Sequence, residues 1–224
     1  THVTSPANIR AHLHGIERMK RHGVWSSFTH QKDVSLLTVI TKDYPKALSD
    51  ICGTITSSDI NIIGAQIFTR SDGLIIDSFL VVDENGSSVI APEIQTAFKR
   101  NIRAVVTEKI GVAELIKTNI QRWKHRKKNA VFSRPRIKIH NDISSKYSVI
   151  DIFTIDYTGL LYDITSILAS FNIDIHTAKV GTDEDQIADA FYVRESGGGK
   201  IEDKTTLENI TSALTETLNK AFGK

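Results

Sequence analysis

The chain has 224 residues, a net charge of +2 and 40% hydrophobic residues, which is ordinary globular composition and excludes a disordered or strongly polybasic chain. No apolar run approaches the ~18 residues of a membrane span, and one cysteine, Cys52, excludes a disulfide framework and fits a reducing, cytoplasmic setting. The chain opens at Thr1 with no signal peptide, so it reads as a piece of a longer protein.

Ser5-Pro6 is a helix start, with Pro where its missing N–H is harmless, and Ile9, Leu13, Ile16 and Met19 recur at helical spacing until His22-Gly23. His12 and His14 fall on different helix faces, poor geometry for one metal. Val34 to Thr41 is a β-rich run, and Pro45 opens a helix to about Ser58 whose buried side is Ala47, Leu48, Ile51, Cys52 and Ile55. Asn61–Arg70 and Leu74–Val82 are strands joined by the hairpin signal Ser71-Asp72-Gly73. Pro92 starts a second helix with the stripe Ile94, Ala97, Phe98 and Ile102. From Leu115 to Asn141 there are nine Lys or Arg and no acidic residue, densest at Arg122–Lys128. A solvated helix end and linker explains this run better than a nucleic-acid site, because charge is balanced elsewhere. Nucleic-acid binding on the sheet would also need exposed aromatics, and Phe68, Phe79, Phe153, Phe191 and Tyr192 fall mostly at positions assigned to the core. Arg136–Asn141 reads as the fourth strand of the first unit. Tyr147–Ile155 is then a strand, Gly159–Phe171 a helix, and Asp174–Thr182 and Gln186–Val193 strands. A last helix carries Leu207, Ile210, Leu214 and Leu218.

The second half repeats the first. A shift of 113 residues carries Asp43 onto Asp156, Leu48 onto Leu161, Asn61 onto Asp174, Ala65 onto Ala178 and Thr69 onto Thr182; one gap later Asp77-Ser78-Phe79 meets Asp189-Ala190-Phe191. A repeat this long is a duplicated domain. The order βαββα, completed by a fourth strand in the first copy, is an α+β, ferredoxin-like βαββαβ plan: antiparallel sheets with two helices on one face. The expected division is an N-terminal helix and linker over 1–32, a first unit over 33–142 that includes the basic linker 115–135, and a second unit over 143–224. The second unit then lacks a fourth strand, leaving an open edge for another segment or a second copy, and so a possible homodimer through sheet edges.

Catalytic signatures are absent: no G-x-S-x-G, Walker loop, H-E-x-x-H or cysteine cluster occurs, and no two histidines share a metal-ligand spacing. The chain reads as a binding module. Its natural seat is the turn between the first strand and first helix of each copy, where unpaired N–H groups and a partial positive charge suit a carboxylate. Gly159 lets a ligand approach the backbone, and Asp156 and Asp174 suit an amino group. On these physical grounds alone, helix N-capping explains Asp43 and Asp156 better than a ligand site does.

The Asp-Tyr-x-x-Ala/Leu-Leu turns at Asp43 and Asp156, the Asn61-Ile62 and Asp174-Ile175 strand starts and the βαββαβ order resemble the ACT domain, a family of amino-acid sensors. Gly64–Gly73 leading to Asp77, Asp189–Val193 with Gly199-Lys200-Ile201 behind it, and Phe132–Asn141 followed by Val149-Ile150 and Asp156–Asp163 resemble the tandem ACT region of the bacterial PII-protein uridylyltransferase/uridylyl-removing family. The resemblance covers about Val34 to Phe222. It departs at Lys46, where the motif has Gly, and at Thr158, where it has Pro. It implies ligand positions at Asp43, Lys46 and Asn61 in one copy and at Asp156, Gly159, Leu160 and Asp174 in the other. ACT sites commonly form where two such domains meet, so one ligand is expected to touch both copies. It further implies L-glutamine as effector, the PII signalling protein as partner through the parent enzyme, and no catalysis in this chain. No cofactor is implied here, with Mg2+ expected only for upstream catalytic domains. Neither nucleic acid nor membrane is implied, and the basic linker becomes a candidate hinge. The alternative is a stand-alone tandem-ACT regulator acting through protein partners.

Overall fold

A computed structural model describes residues 6–116, 134–183 and 186–220. In chain order it holds α1 (Pro6–His22), β1 (Val24–His30), β2 (Ser35–Lys42), α2 (Ala47–Ser57), β3 (Ile60–Phe68), β4 (Leu74–Asp83) and α3 (Pro92–Glu108). There follow β5 (Arg136–His140), β6 (Ser148–Thr154), α4 (Leu160–Ser170), β7 (Ile173–Asp183), β8 (Gln186–Glu195) and α5 (Lys204–Lys220). The predicted strands all appear, and β1 is an additional one. The basic run Arg122–Lys128 and most of the expected hinge lie outside the described residues.

The eight strands form one antiparallel sheet in the order β1-β2-β4-β3-β7-β8-β6-β5. This order corrects the expected role of Arg136–Asn141. β5 pairs with β6, Ile139 opposite Ile150, so it edges the second copy, and that copy is not left with a missing strand. β1 plays the same part in the first copy by pairing with β2. In each copy the edge strand therefore precedes the strand it flanks. Both are circular permutations of the expected order, with the fourth strand moved to the front.

The copies join through β3 and β7, where Gln66 lies opposite Lys179. These two are mates under the 113-residue shift, so a local two-fold axis passes between them. Thr177 Oγ1 reinforces the seam by donating to the Ile67 carbonyl at 2.9 Å.

The helices α2 to α5 cover one face. Leu37, Val39, Phe79 and Val81 from the first copy and Ile150, Ile152, Phe191 and Val193 from the second share one core with Ile51, Ile55, Phe98, Ile164, Leu168 and Leu214. The two copies are thus joined by a continuous apolar core as well as by the seam's hydrogen bonds, each of the latter worth about 1 kcal/mol net. The central helices α2 and α4 lie side by side, and Ser49 and Ser166 share a hydrogen bond of 2.8 Å between their hydroxyls.

On the reverse face, α1 crosses β1 and β2 through Gly15 and Met19 instead of the whole predicted stripe. Leu13 is 61% exposed, while a Cβ on Gly15 would sit 2.6 Å from the Trp25 ring. Of the aromatics assigned to the core, Phe79 and Phe191 are fully buried, but Phe68 is 53% exposed and Phe153 and Tyr192 are half-buried. Arg136 lies over the Phe153 ring at 5.3 Å. Among the described residues, no helix is long and apolar enough to cross a membrane.

Candidate ligand-binding crevices

The two strand–helix turns adopt the same unusual backbone. Lys46 (φ 72°, ψ 7°) and Gly159 (φ 95°, ψ 0°) stand at the helix starts in the left-handed region, and neither start has a side-chain cap. Each turn closes the same way: Ala47 N–H donates to the Tyr44 carbonyl at 3.0 Å, and Leu160 N–H to that of Tyr157 at 3.1 Å. Asp43 and Asp156 are therefore not the N-caps that sequence reasoning allowed. The start of α2 keeps its first-turn N–H groups at the edge of a crevice lined by Leu48 and Ser49, and α4 does so beside Leu160 and Leu161.

The crevices draw on both copies, and they regroup the predicted residues. The first is lined by Asp43, Lys46 and Asp77 from the first copy and by Asp174, His176 and Arg194 from the second. The second is lined by Asp156, Gly159, Leu160 and Asp189 together with Asn61 and Ile63 of the first copy. Asn61 thus sits with the second copy's turn, and Asp174 with the first copy's. The cause is the β3–β7 seam, which sets the start of each copy's second strand against the other copy's helix.

A β-bulge sharpens this arrangement. The register of β3 against β4 shifts between Ile62 and Gly64, and that of β7 against β8 between Ile175 and Thr177. The extra residues, Ile63 and His176, are repeat mates, and each lines a crevice. Re-aiming one side chain is a common use of a bulge. His176 is held by stacking on Tyr147, ring centroids 4.7 Å apart.

The chemistry of the two crevices has diverged. Where the first has Asp174 and His176, the second has Asn61 and Ile63. Arg194 approaches Asp174 at 4.0 Å, and Ser196 Oγ donates to Asp174 Oδ1 at 3.1 Å. Burial raises the Asp43 carboxyl above its ordinary value, and the Asp174 charge adds to this, against the opposing Tyr44 N–H, Arg194 and His176. His176 is pushed down, first by burial and then by Arg194. Asp77, wholly buried on β4, is raised to about 8 by burial, with the Phe68 N–H opposing and the Asp43 charge adding. A crevice holding three carboxyls beside Lys46 and Arg194 is suited to a zwitterion, its ammonium among the acids and its carboxylate at the basic helix start.

Asp77, Asp189, His176 and Arg194 were not among the predicted site residues. A signal for two of them was present: Asp77 interrupts the inward-facing series Ile75, Phe79 and Val81, and the repeat sets Asp189 opposite it. Among the described residues no three His, Cys, Asp or Glu converge to hold a metal ion.

Residues 35–98 match the ACT domain family, and residues 136–222 match the ACR9-like, ACT-like domain. The second match begins at β5. The chain is 31% identical over 191 residues to the bifunctional uridylyltransferase/uridylyl-removing enzyme of Gluconobacter oxydans (strain 621H), across 85% of this chain and 20% of that protein. It thus spans about one fifth of that relative's length. Solved structures overlap it slightly. An unknown protein from Galdieria sulphuraria is 12% identical at a TM-score of 0.26, covering 84% of this chain and 92% of that one. Aspartate kinase from Synechocystis is 11% identical at 0.23, covering 87% and 41%. With two ACT-type matches, one on each half of a duplicated α+β fold, the chain belongs to the ACT-domain family, as a tandem ACT region similar to that of the bifunctional uridylyltransferase/uridylyl-removing enzymes.

Proposed function

We propose that this chain is the C-terminal amino-acid-sensing region of a cytoplasmic PII uridylyltransferase/uridylyl-removing enzyme, with L-glutamine as effector. It carries no catalytic step of its own, and it acts on the PII signalling protein only through the parent enzyme. The observation that carries this reading is the pair of uncapped, left-handed helix starts, each facing a crevice walled by the opposite copy.

Such a site couples binding to shape. A ligand spanning Asp43 and Lys46 on one side and Asp174 and Arg194 on the other favours one spacing of the copies, and it shifts the parent enzyme by its difference in affinity between two spacings. The β3–β7 seam and the shared core make that shift a small sliding of α2 against α4.

Titration calorimetry of the chain with L-glutamine, L-glutamate and L-serine tests the reading. Heat and a thermal upshift are expected with glutamine at millimolar concentration or below. A well-folded chain that responds to none of the three would end the sensor assignment.

A further inference from the structure

Asp77 stands on β4 opposite Val39 and faces the helices with Ile75 and Phe79. Its Oδ1 accepts the Phe68 backbone N–H at 3.2 Å, just past the Gln66–Ser78 end of the β3–β4 ladder. Its Oδ2 is buried without a hydrogen-bond partner, and the residue lines the first crevice. Holding one amide needs one oxygen. The second is surplus to the fold, and a buried polar atom left unbonded costs about 1–3 kcal/mol. A ligand that supplies a donor recovers that cost.

We propose that Asp77 reads the side-chain tip of an amino acid bound in the first crevice, its Oδ2, once ionised, accepting from a primary amide and rejecting the isosteric carboxylate. This rests on the crevice being an amino-acid site. The groups facing Asp77 are Asp43 and Lys46 from the β2–α2 turn, Cys52 from α2, Asp174 and His176 from β7, and Arg194 from β8. Thr165 of α4 adds an uncharged hydroxyl.

The proton on Asp77 decides how sharp the choice is. Below about pH 8 the buried carboxyl holds its proton, so Oδ2–H donates to an amide carbonyl or to a carboxylate alike. Above that pH Oδ2 is only an acceptor. It still takes an amide N–H, but it repels a carboxylate, which then binds only the shrinking protonated fraction. Discrimination between glutamine and glutamate therefore widens with pH. Both ligands carry the same α-amino and α-carboxyl groups, so their affinity ratio isolates the tip.

Calorimetry of the 224-residue chain with L-glutamine and L-glutamate at pH 7.0 and pH 9.0 provides the test, with Asp77→Asn alongside. In the wild type the ratio should widen by about tenfold, the loss expected for one pH unit above the pKa. In Asp77→Asn, which keeps an acceptor for Phe68 but cannot titrate, the ratio should stay flat. Glutamine binding with a pH-independent ratio in the wild type overturns this inference and leaves the sensor assignment standing, as does a variant that widens like the wild type. Absence of any binding by the folded wild type overturns both. If Asp77→Asn fails to fold, the wild-type pH profile decides alone.

Discussion

Lys46 holds φ at 72° where its mate Gly159 sits at 95°, so one backbone turn is built from two residues with very different tolerance for it. A side chain in the left-handed region costs roughly 1–2 kcal/mol, and glycine offsets this with about 0.5–1 kcal/mol of extra chain entropy. Lys46→Gly should therefore stabilise the fold by up to about 1 kcal/mol, measured as a rise in urea midpoint at unchanged slope. A loss of stability would mean that the Lys46 side chain holds the crevice wall in place. The same reasoning explains Asp59 and Asn172, repeat mates at φ 59° and 56°, since Asp and Asn are the side chains that best tolerate this region. Lys46, at a strained position, sets a cation at the first crevice, where Asp43, Asp77 and Asp174 gather, whereas its mate at the second crevice is glycine.

At the scale of elements, the contact between α2 and α4 is where the duplication has been differentiated. Gly53 and Ser166 are repeat mates, as are Ser49 and Tyr162. On one side of the local two-fold Ser49 bonds to Ser166; on the other, the Tyr162 ring lies over Gly53, where an added Cβ would be 2.8 Å from the ring and 2.3 Å from Val112 Cγ1. Gly53→Ala gains about 1 kcal/mol of helix propensity and meets overpacking of about 1–3 kcal/mol, so the clash should win and lower the melting temperature. Gly111→Ala is the control, since a Cβ there meets nothing within 4 Å. Equal effects at both positions would remove Gly53 from the packing argument.

Much of this scale was legible from the chain alone. The β-rich runs and the apolar stripes of α2 and α4 located their elements, because periodicity is set locally. The permutation was not legible. Arg136–His140 reads as a strand either way, and only pairing with Val149–Phe153 decides which copy it edges. β1 was missed because Ser26, Ser27 and Thr29 dilute its apolar alternation to Val24, Trp25 and Phe28.

For the whole molecule, the seam at Gln66 and Lys179 turns two ACT-type units into one object whose crevice-lining residues are exchanged between halves. Sequence order assigns Asp174 to the site that holds Gly159, and the fold assigns it to the site that holds Asp43. No local pattern could reveal that exchange, because it follows from which strand edges meet. The two assignments predict different energetic couplings. Residues sharing a ligand show interaction energies of about 0.5–3 kcal/mol in a double-mutant cycle, whereas separated sites add to within about 0.3–0.5 kcal/mol. Glutamine affinity measured for Asp43→Ala, Asp174→Ala, Gly159→Val and their pairs should show Asp43 and Asp174 coupled, their charges already acting on one another across the first crevice. Asp174 and Gly159, which line different crevices, should be additive. Coupling between Asp174 and Gly159, with additivity between Asp174 and Asp43, would mean that each copy binds its ligand alone. The seam would then be an assembly feature with no part in sensing.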